Sequence, residues 1–208
     1  MSYTNNFHIA ANDDLAIEYV YRSPLEHMHC AIAFQVMKNA KCDILEGLTR
    51  MEQLEIRNLI TDIVLSTDNS VHSAYLAKLE GLVCRASRIE GWSQDSDDQR
   101  LILQMALHAA DVSNPAKPLA SYFVWAERIL NEFYQQGDRE RQLGLPVSIG
   151  CDRENPLPLE KMQAGFILGI VRPLFGALSQ VPHAQLGHCV RQLDENLTHW
   201  QRELDRRQ

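Results

Sequence analysis

Apolar positions along this chain recur at spacings of three and four, the period of a helix, and nowhere alternate as a half-buried strand would. Leu25, Met28, Ile32 and Val36 predict a nearly continuous apolar helix over Leu25–Met37. Thr49-Arg50-Met51-Glu52 has the form of a capping box, and it opens a helix carrying Leu54, Ile56, Leu59, Ile60 and Ile63. Ser66–Ser70 breaks that pattern before a second helix over roughly Val71–Ser87. The acidic cluster Asp95–Asp98 suits a helix N-terminus, followed by the strongly apolar run Leu101–Ala110. Pro115 and Pro118 end that helix and start another, for which Gly137 is the expected C-cap. Gly144–Pro158, rich in Gly and Pro, reads as a loop. Leu159–Ile170 resumes the helical period, Pro173 is expected to kink or end it, and a last helix covers about Ala184–Arg206.

No segment reads as a strand, and neither a repeat nor an interdomain linker is visible. The expected fold is all-α, a compact multi-helix bundle forming one unit over residues 1–208. Two helices in it are unusually apolar for so short a chain. A helix hydrophobic all round belongs inside a larger assembly, so either a partner covers it or part of its domain lies outside this sequence.

Composition narrows the class. With 45% hydrophobic and 23% charged residues, wholesale disorder is excluded. Lys and Arg number 20 against 27 Asp and Glu, a net charge of −7, so no overall basic field favours nucleic acid or an anionic membrane. The longest apolar stretch, Gly165–Leu178, is broken by Arg172-Pro173 well short of a membrane span. Met1–Ala11 carries no secretion signal. The five cysteines are scattered and form no CxxC pair, which points to a reducing compartment and a cytoplasmic location.

Polar residues stand in apolar surroundings at three places. Asp111 ends an apolar helix, where a carboxylate opposes the dipole by about 0.3–1 kcal/mol. If buried it needs a metal, an Arg or a Lys beside it; the alternative is an exposed Asp at the turn into Pro115. Glu26 and His29 share a helical face bordering the apolar stripe, as a structural hydrogen bond or as a site. His27 and His29, about 200° apart, cannot chelate one ion from one face. Gln163 shares a face with Phe166, Ile167 and Ile170, so its amide must find partners in the backbone or on the edge of a bound base. In the second case Phe166 offers a ring for stacking. Asn114 before Pro115 reads as a turn residue, and Tyr122, Trp125 and Ile129, at spacings of three and four, as packing.

The order of these segments resembles the catalytic domain of the class I 3′,5′-cyclic nucleotide phosphodiesterases. Ser23-Pro24-Leu25-Glu26-His27-Met28-His29 is similar to the family's S-x-L-E-N-H-H, and Val64-Leu65-Ser66-Thr67-Asp68 through His72 to its V-L-A-T-D-M-x-x-H. Ala110-Asp111-Val112-Ser113-Asn114-Pro115-Ala116-Lys117-Pro118 is similar to A-D-I-S-N-P-x-K-P. Trp125 followed by Glu132-Phe133-Tyr134-Gln135-Gln136-Gly137-Asp138-Arg139-Glu140, and Gln163-Ala164-Gly165-Phe166-Ile167 followed by Ile170 to Phe175, complete the series.

The resemblance implies a helical bundle of the HD-type phosphodiesterase kind. It also implies a pocket with two divalent metal ions (zinc, with magnesium or manganese) whose bridging hydroxide opens the cyclic phosphate of cyclic AMP or cyclic GMP in signal transduction. It makes Asp111 a metal ligand, and Glu26, His29 and Thr67 holders of metal-bound waters or of their neighbours. Gln163 becomes the residue that binds the base edge, Phe166 and Ile129 the clamp on the base, and Asn114, Tyr122 and Trp125 further pocket walls. The family's H-N-x-x-H and H-D-x-x-H-P segments, which supply the general acid and further ligands, precede the S-x-L-E region and do not occur in this sequence. Thr4-Asn5-Asn6-Phe7 resembles the stretch directly after the second of them, so an N-terminally truncated domain with weak metal binding and little turnover is expected. The alternative is a truncated, non-catalytic module that binds nucleotide weakly or pairs with full-length chains, as a homodimer or in association with the missing N-terminal helices. Met28, Asn69 and Ala126 depart from the family's His, Met and Thr, and the last two bear on substrate preference.

Overall fold

The structure, a computed structural model, describes residues 3–86 and 95–207. Helices α1 (Asn5–Ala11), α2 (Asp14–Glu18), α3 (Pro24–Val36), α4 (Arg50–Leu65) and α5 (His72–Ala86) form its first part. The second comprises α6 (Ser96–Asp111), α7 (Leu119–Gln142), α8 (Leu159–Phe166), α9 (Arg172–Leu178) and α10 (Gly187–Asp205), and no strand occurs among the described residues. The expected end of α5 at Ser87 lies outside them.

Side-chain caps set the starts of α1, α2, α4 and α6. The Thr49 amide donates to Glu52 at 2.8 Å and the Glu52 amide to Thr49 Oγ1 at 3.3 Å, so both halves of the predicted capping box are present. Asp95 accepts the Asp97 amide at 2.8 Å and opens α6. The short α1 and α2 were not legible as apolar periods. Their caps, Thr4 and Asp13, accept from Phe7 and Ala16.

Gly137 does not end a helix. It lies inside α7, which runs on to Gln142, with Gly144 past its end at φ +70°. A Cβ at Gly137 would stand 1.9 Å from the Cys151 carbonyl oxygen, so the glycine is there because the following loop crosses the helix backbone. Glu140 ties that loop down: its buried carboxylate accepts from Ser148 N at 2.7 Å, Ser148 Oγ at 2.6 Å and Gln136 Nε2 at 2.9 Å. Gln136 in turn accepts the Thr4 amide at 2.9 Å and so anchors the N-terminal arm. The Q-Q-G-D-R-E segment is therefore a loop-folding device. Burial, reinforced by the Glu140 charge, pushes the Cys151 thiol up to about 11.

Pro173 neither ends nor sharply breaks its helix. It sits in the first turn of α9, directly after a wider π-helical turn over Ile167–Val171. Lacking an N–H, Pro173 leaves the Gly169 carbonyl without its regular donor, and the wide turn absorbs the mismatch.

The core joins Leu79, Met105, Tyr122, Ile167, Leu174, Leu193 and Trp200, contributed by α5 through α10. On the two strongly apolar helices, Ile32 and Val36 of α3 and Leu103 and Leu107 of α6 are exposed, while the buried faces carry Glu26 and Cys30 on one and Gln104, Met105, His108 and Ala109 on the other. Among the described residues no helix is long and apolar enough to cross a membrane.

Candidate functional site

Gln163 on α8 and Tyr122 on α7 meet in the interior. The Tyr122 hydroxyl donates to Gln163 Oε1 at 2.6 Å across 41 residues of sequence. Tyr122 is 1% exposed, and burial holds its phenol protonated far above the ordinary value, so it remains a donor at any working pH. Trp200 on α10 meets the Tyr122 ring edge-on, centroids 5.8 Å apart at 89°, and stacks on Phe123 at 5.7 Å. The tyrosine is thus clamped from behind, and the amide it tethers keeps its Nε2 hydrogens and one Oε1 lone pair for another partner. Phe166, half-buried, packs against the same core one turn after Gln163.

The remaining residues of the expected pocket are more open. Ile129 is half-buried two turns along α7 from Tyr122. Trp125 is 42% exposed, with the Arg128 guanidinium 5.5 Å over its ring. Asn114 is half-buried in a short 3₁₀ turn, Asn114–Ala116. Buried Asn196 holds that turn against α10 by donating to the Pro115 carbonyl at 2.7 Å and the Lys117 carbonyl at 2.8 Å.

Asp111 is exposed at the end of α6, and among the described residues it makes no ion pair. Glu26 and His29 do not pair. Glu26 is buried and accepts from Asn5 Nδ2 at 2.8 Å, the same amide whose Oδ1 receives the Leu25 N–H at 3.0 Å, whereas His29 is exposed. The reason is local: Asn5 reaches the first turn of α3 and satisfies Glu26 together with a helix-end amide. The Thr67 hydroxyl donates back to the Val64 carbonyl at 2.7 Å.

Sequence reasoning did not single out three residues of this region. Asp68 is buried and accepts from Ser23 Oγ at 2.7 Å and the Ser70 amide at 2.8 Å, joining the left-handed entry of α3 at Ser23 to the α4–α5 turn. His72 and His108 are buried against each other, Nδ1 to Nε2 at 2.9 Å. Burial holds both rings below the ordinary histidine range, and for His108 the neighbouring His72 adds to this while Asp111, Thr67 and Asp68 oppose it. The available signal was positional: Asp68 and His72 belong to the Thr67–His72 segment, and His108 lies one turn before Asp111.

Among the described residues no three His, Cys, Asp or Glu side chains cluster as metal ligands. One exposed carboxylate does not compose a metal centre, so the residues present do not by themselves fit the two-ion site that the resemblance implies. An apolar groove of about 530 Å³ lies between α6 and the segment joining α9 to α10, lined by Ala106, Ala110, Phe175, Leu178 and Leu186. None of the candidate residues borders it.

Comparison with known proteins gives the family. The profile described as 3′5′-cyclic nucleotide phosphodiesterase matches residues 1–193. A Caenorhabditis elegans protein named probable 3′,5′-cyclic-AMP phosphodiesterase pde-4 is 39% identical over 198 residues, covering 93% of this chain and 29% of its own length. Rat 3′,5′-cyclic-AMP phosphodiesterase 4C is 38% identical over 196 residues, covering 93% and 36%. Among solved structures, LmjPDEB1 in complex with IBMX superposes with a TM-score of 0.90 at 28% identity, over 99% of this chain and 61% of that one. The phosphodiesterase domain of Salpingoeca rosetta rhodopsin phosphodiesterase gives 0.87 at 31% identity, over 98% and 61%. The chain therefore spans about a third of the length of these curated relatives. With matches of this extent in both sequence and fold, the chain belongs to the 3′5′-cyclic nucleotide phosphodiesterase family.

Proposed function

We propose that this protein serves the hydrolysis of 3′,5′-cyclic nucleotides to 5′-monophosphates, and that the described residues supply recognition of the base, with cyclic AMP preferred over cyclic GMP. The observation that carries the reading is the 2.6 Å bond from the Tyr122 hydroxyl to Gln163 Oε1. A carboxamide pairs with a purine edge through one donated and one accepted hydrogen bond. Adenine and guanine present donor and acceptor on that edge in opposite order, so an amide tethered at one end favours one of them. The names of the relatives, cyclic-AMP phosphodiesterases, favour adenine.

The metal chemistry of the family supplies the activated hydroxide when its ions are bound. Because the described residues do not compose that centre, no step of the reaction is assigned to them through it. The 208-residue chain by itself is expected to bind divalent ions weakly and to turn over little cyclic nucleotide. Calorimetric titration with cyclic AMP and cyclic GMP tests the recognition claim. Gln163→Ala should weaken cyclic AMP binding about tenfold, and Tyr122→Phe should chiefly narrow the difference between the two nucleotides. Unchanged affinities in both variants would remove the basis for the proposal.

A second reading, a non-catalytic module that dimerises, rests on the exposed Ile32, Val36, Leu103 and Leu107. A light-scattering mass that stays monomeric up to high concentration excludes it.

A further inference from the structure

We propose that His72 and His108 form a hydrogen-bonded positioning pair that fixes the turn carrying Thr67 against the end of α6 carrying Asp111. The proposal rests on the hydrolase reading above, and its test separates the two. The rings are 2% and 0% exposed, their facing nitrogens are 2.9 Å apart, and the ring planes are tilted by 52°. A contact of that length between two imidazoles needs one proton between them, with one ring donating and the other accepting. Both rings must therefore hold defined tautomers. The outer nitrogens, His72 Nε2 and His108 Nδ1, make no hydrogen bond of good geometry, and the Thr67 carbonyl beside His108 compensates only in part. Two apolar side chains of similar volume would fill this space without leaving such groups unsatisfied. A polar pair here is thus explained by what it positions rather than by the stability it adds.

The pair belongs to a seam of polar contacts. Gln104 Nε2 donates to the Asp62 carbonyl at 3.2 Å, so the end of α4 is already tied to α6; Ser66 Oγ, which donates to the Ile63 carbonyl at 2.7 Å, lies beside the Gln104 carbonyl at 3.4 Å. His72–His108 makes the next tie, 36 residues apart in sequence. Asp68, between the two ties, receives Ser23 at the entry to α3. The segments bearing Glu26 and His29, Thr67, and Asp111 are thereby held in one register by side-chain bonds. His108 is one helical turn from Asp111, and His72 is five residues from Thr67. Neither histidine is placed against substrate; each acts through the backbone it holds.

The test compares His108→Gln, whose amide can donate or accept in place of Nε2, with His108→Leu, which keeps volume and loses the bond. Assayed on cyclic AMP at protein concentrations high enough to read the chain's slow turnover, His108→Leu should lower kcat 10- to 100-fold with KM changed less than about twofold. His108→Gln should recover most of that loss. Equal kcat in His108→Leu and wild type, or a His108→Gln variant as slow as the leucine at equal thermal stability, would overturn the proposal. A second readout needs no turnover: nitrogen-15 spectra of histidine-labelled protein. They should show both rings neutral with a coupling across the shared hydrogen bond. The Thr67 and Asp111 amide signals should shift in His108→Leu and return in His108→Gln. The calorimetric titrations above test the hydrolase reading, and these spectra decide the pair separately, whatever the turnover: absent coupling or unmoved amides refute it.

Discussion

Leu79, Met105, Ile167, Leu174 and Leu193, drawn from α5, α6, the turn after α8, α9 and α10, are fully buried in one apolar cluster. By contrast, α3 and α4 together bury only Pro24, Glu26 and Cys30 and leave Ile32, Val36, Met51 and Leu54 exposed. Beyond the buried Phe7, Ala16 and Leu45, the N-terminal region is attached through polar contacts: Asn5 to Glu26, Ser23 to Asp68, Thr4 to Gln136, and Gln104 to Asp62. The two regions are similarly helical and both contain apolar periods. The difference teaches that an apolar stripe is buried only where other elements surround it, and that a region without such surroundings relies on directional bonds, each contributing about 1 kcal/mol.

The largest effect that would test this contrast is a pair of truncations. Leu79→Ala should cost about 2–5 kcal/mol in urea unfolding, and Leu54→Ala on exposed α4 no more than about 0.5 kcal/mol. Equal losses would break the comparison. Gly137→Ala comes next, at about 1–3 kcal/mol, because the new methyl meets the Cys151 backbone and not a yielding side chain. Faster proteolysis within residues 144–151 should accompany the loss of stability.

Thr49→Ala, which removes one side of the capping box, should cost about 1 kcal/mol. Since α4 contains no fully buried residue, hydrogen exchange should report that loss as fraying of its first turns rather than as global opening. The smallest expected effect is a slope. Burial makes His72 and His108 harder to protonate when folded than when unfolded, where they titrate near the ordinary 6.5. Below that pH the unfolded chain binds more protons, so stability falls as pH falls and is fully present above it. In His108→Leu the slope below pH 6.5 should flatten; an unchanged slope would mean that the pair does not couple to folding.

Helix positions were largely legible because local rules decide them: the Thr49 box, the acidic start of α6, and Pro115 and Pro118 all act within one turn. Where local reading failed, a distant residue had intervened. Gly137 looked like a C-cap, yet the loop around Cys151 crosses α7 there. Pro173 looked like a stop, yet the π-helical turn before it accommodates the ring. Glu26 and His29 shared a predicted face, yet Asn5 reached Glu26 first. The candidate site was legible to the same extent. Gln163 was identifiable as an amide among apolar neighbours, but its tether to Tyr122 and the support of Trp200 depend on three helices meeting.

The sequence by itself determined the helical class, most element boundaries and, through ordered motifs, the family, because these depend on periodicity, capping and the identity of neighbours within a few residues. Only the tertiary structure decided which faces are buried, that Asp111 stands exposed while Glu26 is enclosed, and that His72 meets His108. Burial and hydrogen bonding between residues 36 or more apart are set by how helices dock, and docking depends on the whole chain at once.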